Sequence, residues 1–404
     1  MKILQINSVC GIGSTGRIVL DLHKTLLNQN YESYIVYGRG YSPSFRHTIK
    51  VSSNTDNRLH GIYTRITDKH GFASRNATKS LIKIIEKLQP DIIHLHNIHG
   101  YYLNINLLFC YLKTIGRPIV WTLHDCWAFT GHCAYFDYAE CNRWKAGCYK
   151  CPQKKSYPSS RIIDNSKWNY EKKRELFTSV DNLTLITPSR WLEELVKESY
   201  LKKRTIVTIN NGIDLSVFYP RVTNEARSII KEKYMINKPF VILGVASVWE
   251  ERKGLKYLLE LSQRLNNDYF QVVVVGVNED QKAKLPDTVI GITKTNNVDE
   301  LSELYSAANV FVNPTLEDNF PTTNIEALAC ATPVITFNTG GSPESIDETC
   351  GIVVEKGNID ALIKAVLQVK DDSINPKACL NRARLFDKND KFADYINVYK
   401  NILK

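Results

Sequence analysis

The apolar positions of this 404-residue chain fall into two successive series of short runs. In the first half KILQIN, SYIVYG, DIIHLHN, IVWTLHD, LTLITPS and IVTINNG are each dense in β-branched and other apolar residues. Runs of this length with little alternation predict strands buried on both faces. Between several of them the spacing shifts to the helical period, as in Arg17 to Gln29 and Ile105 to Lys113. A second series, FVILGVAS, FQVVVVG, TVIGIT, NVFVNP and PVITF, is separated by helical patterns such as Leu255 to Leu265 and Asp299 to Ala307. Such alternation predicts an α/β chain whose parallel sheets carry helices on both faces. Turn residues crowd NNGIDLSVFYPRVT, and the join between two domains is expected there, near Gly212 to Thr223. The length is ample for two full cores. An amphipathic stretch, Phe386 to Leu403, closes the chain.

Within the second series, TLEDNFPTTNIEALACATPVITF reads as a loop, a short helix and a strand following the strand NVFVNP. Thr322 or Thr323 is the expected N-cap of the helix IEALAC. The loop then sits at the carboxyl end of a parallel strand, where open α/β sheets bind ligands, and the helix start favours an anion. Asp318 and Glu326 lie in this unit. An ionised carboxylate accepts from two vicinal hydroxyls at once, which suits a sugar, although one acid at a helix start is ordinarily only a favourable partner of the dipole.

Three further features bear on chemistry. CGIGSTGR, Cys10 to Arg17, follows the first strand and opens a helix. Its glycines, Gly13 among them, permit close backbone approach to a phosphate, or serve a simple tight turn. No acidic residue follows at the spacing that a dinucleotide fingerprint requires. Arg252 and Lys253, in GVASVWEERKGLKYLLE, lie between a strand and a helix, where cations can stabilise a leaving diphosphate. His94 and His96 end one strand, with Asn97 and His99 beyond, and His124 and Asp125 end the next. His96, Asn97 and His99 are expected to face an acceptor.

Five cysteines crowd Cys126 to Cys151. Four thiolates suit tetrahedral zinc, and Cys133, Cys141, Cys148 and Cys151 are the candidate ligands of a structural site, with reduced buried thiols as the alternative.

Charge is divided unevenly. Residues 1–185 carry 25 Lys and Arg against 13 Asp and Glu, a balance of +12, whereas 186–404 carry 27 against 29, or −2. The basic half predicts an anionic partner, such as a membrane surface or a lipid pyrophosphate, or else a scattered solvated face. Without a nucleic-acid motif or a dense basic run, no nucleic-acid partner is expected. The stretch Arg65 to Lys87, with Lys79, Lys83 and Lys87 among Ile66, Phe72, Leu81, Ile84 and Ile85, is the expected docking surface. No window approaches the roughly 20 apolar residues of a membrane span. MKILQINS reads directly as a strand, so a cytoplasmic protein is expected, and the basic half allows a peripheral position at the inner face of the plasma membrane.

Taken together, the Asp318/Glu326 segment, RKG, NNGID (Asn210 to Asp214), the GGSPE loop (Gly340 to Glu344) and the strand-end histidines resemble the family 4 glycosyltransferases. The cysteine-rich insert and EDNFP look like the branch that builds bacterial capsular, exopolysaccharide or lipopolysaccharide glycans. The resemblance implies the GT-B architecture, two Rossmann-like domains facing a cleft. The expected domains are 1–212, with the insert 126–151 and the helix 386–404 packed back on it, and 213–385. It implies a retaining transfer from a UDP- or GDP-linked sugar to a glycan or lipid-linked acceptor, with no cofactor required for catalysis. Asp318 replaces the usual glutamate beside the donor sugar, and Glu326 holds the ribose. Arg252 and Lys253 meet the diphosphate, and His124 orients the donor. Asn319, Phe320, Pro321, Gly13 and Asn211 complete the expected donor site. A sugar-nucleotide epimerase of the same fold and a silent binding or scaffold protein are the rival readings.

Overall fold

The computed structural model describes residues 1–40, 45–221 and 224–404. Two compact units emerge, Met1–Asn210 with Phe392–Lys404, and Asn211–Lys391. The expected join near Gly212 to Thr223 therefore falls just inside the second unit, and its last residues, Val222 and Thr223, lie outside the described residues. The chain returns to the first unit at Phe392 rather than at residue 386.

The first unit holds a parallel sheet of β1 (Lys2–Asn7), β2 (Glu32–Tyr37), β3 (Thr48–Lys50), β4 (Ile92–Leu95), β5 (Ile119–Thr122), β6 (Leu183–Thr187) and β7 (Thr205–Thr208). Their order is β3-β2-β1-β4-β5-β6-β7. The second unit holds β8 (Phe240–Val245), β9 (Phe270–Val275), β10 (Val289–Ile292), β11 (Val310–Asn313), β12 (Val334–Phe337) and β13 (Gly351–Val354). Here the order is β10-β9-β8-β11-β12-β13, again all parallel. Both sheets are doubly wound: the order reverses between β1 and β4 and between β8 and β11. At these points successive connections leave toward opposite faces, and a crevice opens at the carboxyl ends of the strands.

Every strand of the apolar runs forms. The short edge strands β3 and β13 were not legible: TIK and GIVV are brief, and each lies at a sheet margin. Apolar side chains fill both faces of each sheet, with Leu4, Leu95 and Trp121 on one side of the first and Ile3, Ile92 and Val120 on the other. Val241, Val273 and Phe311 face one side of the second sheet, and Ile242, Val274 and Ile335 the other. Phe392, Tyr395, Ile396 and Tyr399, from the last helix Lys388–Ile402, join Ile3 and Val120 in the first unit's core.

The basic helix Arg75–Leu88 does not match the expected docking surface. Leu81 and Ile85 point into the core, with Phe72 and Ile84 packed against it. Lys79, Lys83 and Lys87 thus form a solvated face without exposed apolar companions from this group except Ile66, which lies on a different helix.

Candidate active site

In the second unit, the loops leaving β8 and β11 meet at the point of reversal. The β8 loop is anchored by Trp249, whose Nε1 donates to the Val275 carbonyl at 2.9 Å. Gly254, at φ 75°, ends the turn that carries Arg252 and Lys253. A Cβ there would stand 2.0 Å from the Pro314 carbonyl oxygen, so glycine alone lets the two loops lie this close. Leu316 N donates to the Arg252 carbonyl at 2.7 Å, and Arg252 Nη1 donates to the Glu317 carbonyl at 3.0 Å.

These contacts place the Lys253 ammonium against the Asp318 carboxylate in an ion pair. Burial pulls the Lys253 pKa down, partly offset by Asp318. Burial pushes Asp318 up, but Lys253 and Arg252 outweigh it and hold the carboxyl below its usual range. At neutral pH Asp318 is an acceptor-only carboxylate. From the other side, Gly341 N donates to the Asp318 carbonyl at 3.0 Å, which seats the GGSPE loop on it.

The helix Thr322–Ala329 starts at Pro321 and has no side-chain cap. Thr322 and Thr323 are therefore in its first turn instead of capping it. Glu326, buried on this helix, accepts from the Tyr305 hydroxyl at 3.0 Å. Phe320 is not placed to stack on a ligand: it is buried in the core, 5.5 Å between ring centres from Phe386. Asn211 Nδ2 donates to the Phe320 carbonyl at 3.1 Å, and Pro321 is buried at the cap. These three residues set the loop's path, while Asn319, also buried, donates its backbone N–H toward Asp318. Sequence reasoning missed the polar support beneath: Asn313 Nδ2 donates to Asn324 Oδ1 at 2.7 Å, and Asn324 Nδ2 to Ser345 Oγ at 2.9 Å. An asparagine ending a buried strand and another inside an apolar helix were the available signals.

In the first unit the glycine loop after β1 opens the helix Gly13–Asn28, again without a side-chain cap. Gly13 is its first residue, with open space where a side chain would project. Beyond β4 and β5 the histidines form a stack. His94 Nδ1 lies 2.6 Å from the Tyr399 hydroxyl, and its Nε2 lies 2.9 Å from Thr122 Oγ1. His96 Nδ1 lies 3.1 Å from His124 Nε2. His96 Nε2 is buried with no partner among the described residues. An unpaired lone pair costs less than an unpaired N–H, which puts the His96 proton on Nδ1 and makes it the donor. His124 then carries its own proton on Nδ1 and can donate to a ligand oxygen.

His96 was expected to face an acceptor, but it is buried behind His124 and acts on that ring. His99, also buried, is held by Asp125 Oδ2 at 3.0 Å and by the Tyr157 hydroxyl at 3.0 Å. Asn97 is half-buried; its N–H donates to Asn7 Oδ1 at 3.1 Å and its carbonyl accepts from Tyr102 at 2.9 Å. Burial lowers His124 to about 4 and His94 to about 3.

Residues 15–217 match the profile of Glycosyltransferase Family 4, and residues 239–372 that of Glycosyl transferases group 1. The chain belongs to glycosyltransferase family 4. The putative colanic acid biosynthesis glycosyl transferase WcaC of Escherichia coli K12 is 25% identical over 427 residues, covering 100% of both chains. An Escherichia coli UDP-Gal:alpha-D-GlcNAc-diphosphoundecaprenol alpha-1,3-galactosyltransferase is 27% identical over 230 residues, 52% of this chain and 58% of its own. Among solved structures, sucrose-phosphate synthase from Thermosynechococcus elongatus superposes with a TM-score of 0.72 at 18% identity, covering 99% of this chain and 98% of its own. The lipopolysaccharide glycosyltransferase WaaG gives 0.66 at 16%, covering 98% and 99%. These likenesses establish the GT-B fold of this glycosyltransferase.

In the cysteine segment of the glycosyltransferase the four candidate thiols, Cys133, Cys141, Cys148 and Cys151, lie near one another. Among the described residues no three His, Cys, Asp or Glu side chains are grouped to hold a metal ion, and all ten cysteines are free thiols. Cys133 hydrogen-bonds Cys151, and this bond, with His132, draws the Cys151 thiol down to about 7. Cys148 accepts from Gly131 N at 3.1 Å, and burial pushes its thiol up to about 11. Beneath them Lys173, fully buried, donates to the Trp127 carbonyl at 2.6 Å and lies 3.9 Å over the Trp127 ring. The segment is arranged as packed thiols around a buried ammonium.

Two outcomes follow for the glycosyltransferase. Metal analysis of protein purified without chelator separates the two readings of the cysteine segment: about one zinc per chain assigns the tetrahedral site, and no metal with ten titratable thiols after unfolding assigns packed thiols. All nine histidines lie in the first unit, and burial holds His60 and His124 at about 4 and His94 at about 3, below the ordinary 6.5. Between those values and 6.5 the unfolded chain binds more protons than the folded one, so acidification through this window destabilises the first unit, by up to ~1.4 kcal/mol per pH unit and group. Calorimetry from pH 7 to pH 5 should show the first unit's transition falling further than the second's. Parallel shifts would contradict the burial of these rings.

Proposed function

We propose that this glycosyltransferase moves a sugar, with retention of anomeric configuration, from a UDP- or GDP-linked donor to a lipid-linked or glycan acceptor of bacterial surface polysaccharide synthesis, at an anionic membrane surface. The observation that carries the reading is the Lys253–Asp318 pair at the reversal point of the second sheet. A donor diphosphate competes for the Lys253 ammonium, with Arg252 beside it, and releases Asp318 to accept from the sugar hydroxyls. Glu326 accepts from the ribose. His124, carrying its proton on Nδ1, donates to a sugar oxygen and orients the ring.

The strand-end carboxylate that could act as a nucleophile, Asp125, is engaged at both oxygens, by Trp127 N at 2.9 Å and by His99 at 3.0 Å. A front-face displacement fits this arrangement. The bond from the sugar's anomeric carbon to the diphosphate breaks while the acceptor oxygen bonds to the same face, and the acceptor proton passes to the departing phosphate oxygen. Positive charge for the leaving group comes from Lys253 and Arg252, so transfer should survive a chelator. The acceptor class is supported by relatives named for diphosphoundecaprenol-linked sugars and for colanic acid synthesis. No helix among the described residues is long and apolar enough to cross a membrane, so contact with a lipid-linked acceptor would be peripheral.

A panel of nucleotide sugars tests the reading: slow donor hydrolysis without acceptor is expected, and an epimerised donor or an inert panel would overturn it. Lys253→Ala should lower kcat by roughly a hundredfold or more with a smaller change in KM, because charge grows on the diphosphate during reaction. An effect confined to KM would reduce Lys253 to a ground-state contact. Glu326→Ala should weaken donor binding in calorimetry by roughly tenfold or more, the loss of one charge-assisted hydrogen bond. Unchanged affinity would remove the ribose assignment.

A further inference from the structure

The helix Asn54–Thr67 buries His60, Gly61 and Thr64 in the first unit. Part of its outer side is apolar, where a surface helix is ordinarily polar. Leu59, Ile62 and Ile66, at i, i+3 and i+7, share one stripe and are 61%, 52% and 45% exposed. The segment that follows the cysteines extends this ridge. Arg161 N donates to the Arg65 carbonyl at 2.8 Å, and Ile163 N to the Ile66 carbonyl at 3.4 Å. Ile162 and Ile163, 67% and 43% exposed, are thereby seated beside the end of the helix. Nearby stands Trp168, the exposed one of six tryptophans, with the Lys69 ammonium 4.4 Å over its ring.

Positive charge predominates around the ridge. Arg58, Arg65 and Arg161 are exposed along it. Two carboxylates border it and are turned toward local donors: Asp56 accepts from Ser52 Oγ at 2.8 Å, and Asp164 from Cys151 N at 2.7 Å and Ser166 N at 3.0 Å. Aliphatic side chains standing out between arginines, with a tryptophan and a lysine at the margin, match a surface that enters the headgroup region of a lipid layer. A second copy fits less well, because self-complementary pairing brings the same arginines together.

We propose that the ridge Leu59, Ile62, Ile66, Ile162 and Ile163 is the surface by which this enzyme docks on an anionic lipid bilayer. Its side chains and Trp168 enter the boundary between headgroups and acyl chains, and Arg58, Arg65, Arg161 and Lys69 meet lipid phosphates. The inference rests on the reading of a lipid-linked acceptor, and it assigns the site of contact to this helix and loop rather than to the basic helix Arg75–Leu88.

The test uses the whole chain and vesicles of phosphatidylcholine, with or without phosphatidylglycerol. Sedimentation should show binding to the mixed vesicles that weakens with salt, with less binding to the neutral ones. Trp168 fluorescence should shift to the blue on binding, and Trp168→Phe should abolish that shift. Leu59→Ser/Ile62→Ser/Ile162→Ser should bind mixed vesicles roughly tenfold or more weakly, since exposed apolar area has been removed, while transfer to a water-soluble short-chain acceptor continues at the unaltered rate. Should that variant fail to fold, Arg58→Glu/Arg161→Glu is read in the same assay with the same expectation. Equal binding to both kinds of vesicle, or undiminished binding by a folded variant, overturns the proposal. So does a dimer in light scattering that the serine variant abolishes, which would assign the ridge to a second copy. Transfer to the soluble acceptor without vesicle binding overturns the docking surface and leaves the glycosyltransfer reading standing. Vesicle binding through the ridge without transfer from any donor supports the surface and removes the donor reading.

Discussion

A cation and an anion held together where water is scarce govern the second unit. Lys253 and Asp318 sit on loops from different strands, and burial alone would drive each toward its neutral form. Their mutual field keeps Asp318 ionised, and the cost of exposing either charge to an apolar surrounding alone ties the two loops together. The rest of the neighbourhood serves that closeness. Gly254 lets the β8 loop touch the Pro314 carbonyl, the Arg252 carbonyl receives Leu316 N, and the GGSPE loop closes over the Asp318 carbonyl. A site built in this way keeps a preorganised cation and a preorganised acceptor side by side.

The two units apply one topology to different chemistry. Where the sheet reverses in the second unit, the loops carry charge. Where it reverses in the first, they carry neutral imidazoles, because burial removes the proton that a histidine would otherwise gain near neutrality. Neutral rings have a choice of tautomer, and the unpartnered Nε2 of His96 settles that choice down the stack to His124. The first unit's strand ends thus hold directed hydrogen-bonding groups, and the second unit's hold charge.

Much of this was legible in the sequence, for reasons that differ by residue. Strands covered by helices on both faces write themselves as unbroken apolar runs, so β8, β9 and β11 were plain, while β3 and β13, at the margins, left too short a trace. Asp318, Lys253 and Arg252 stood out because charges at strand ends have few structural uses, and the structure brings the three together. Phe320 and His96 were misjudged for the opposite reason. An aromatic or a histidine beside a site reads the same whether it faces the ligand or supports the residue that does, and only packing tells them apart. The cysteine spacing was equally ambiguous, since it records that thiols converge and not what lies between them. The Asn313–Asn324–Ser345 chain carried almost no signal, for single polar residues in apolar runs are common.

The Tyr399–His94 hydrogen bond joins residues that lie 305 positions apart in the chain, and it closes the core of the first unit with the last helix. That unit is therefore discontinuous in synthesis. Its sheet can form while the second unit is still being made, but one flank of the sheet is covered only in part, by Ile18, Leu22 and Leu26, until Phe392, Tyr395, Ile396 and Tyr399 leave the ribosome. Completion of the histidine stack consequently waits until the second unit has been made. A chain cut short before the helix Lys388–Ile402 would lack the Tyr399 partner of His94 and leave the histidine stack on an unfinished foundation.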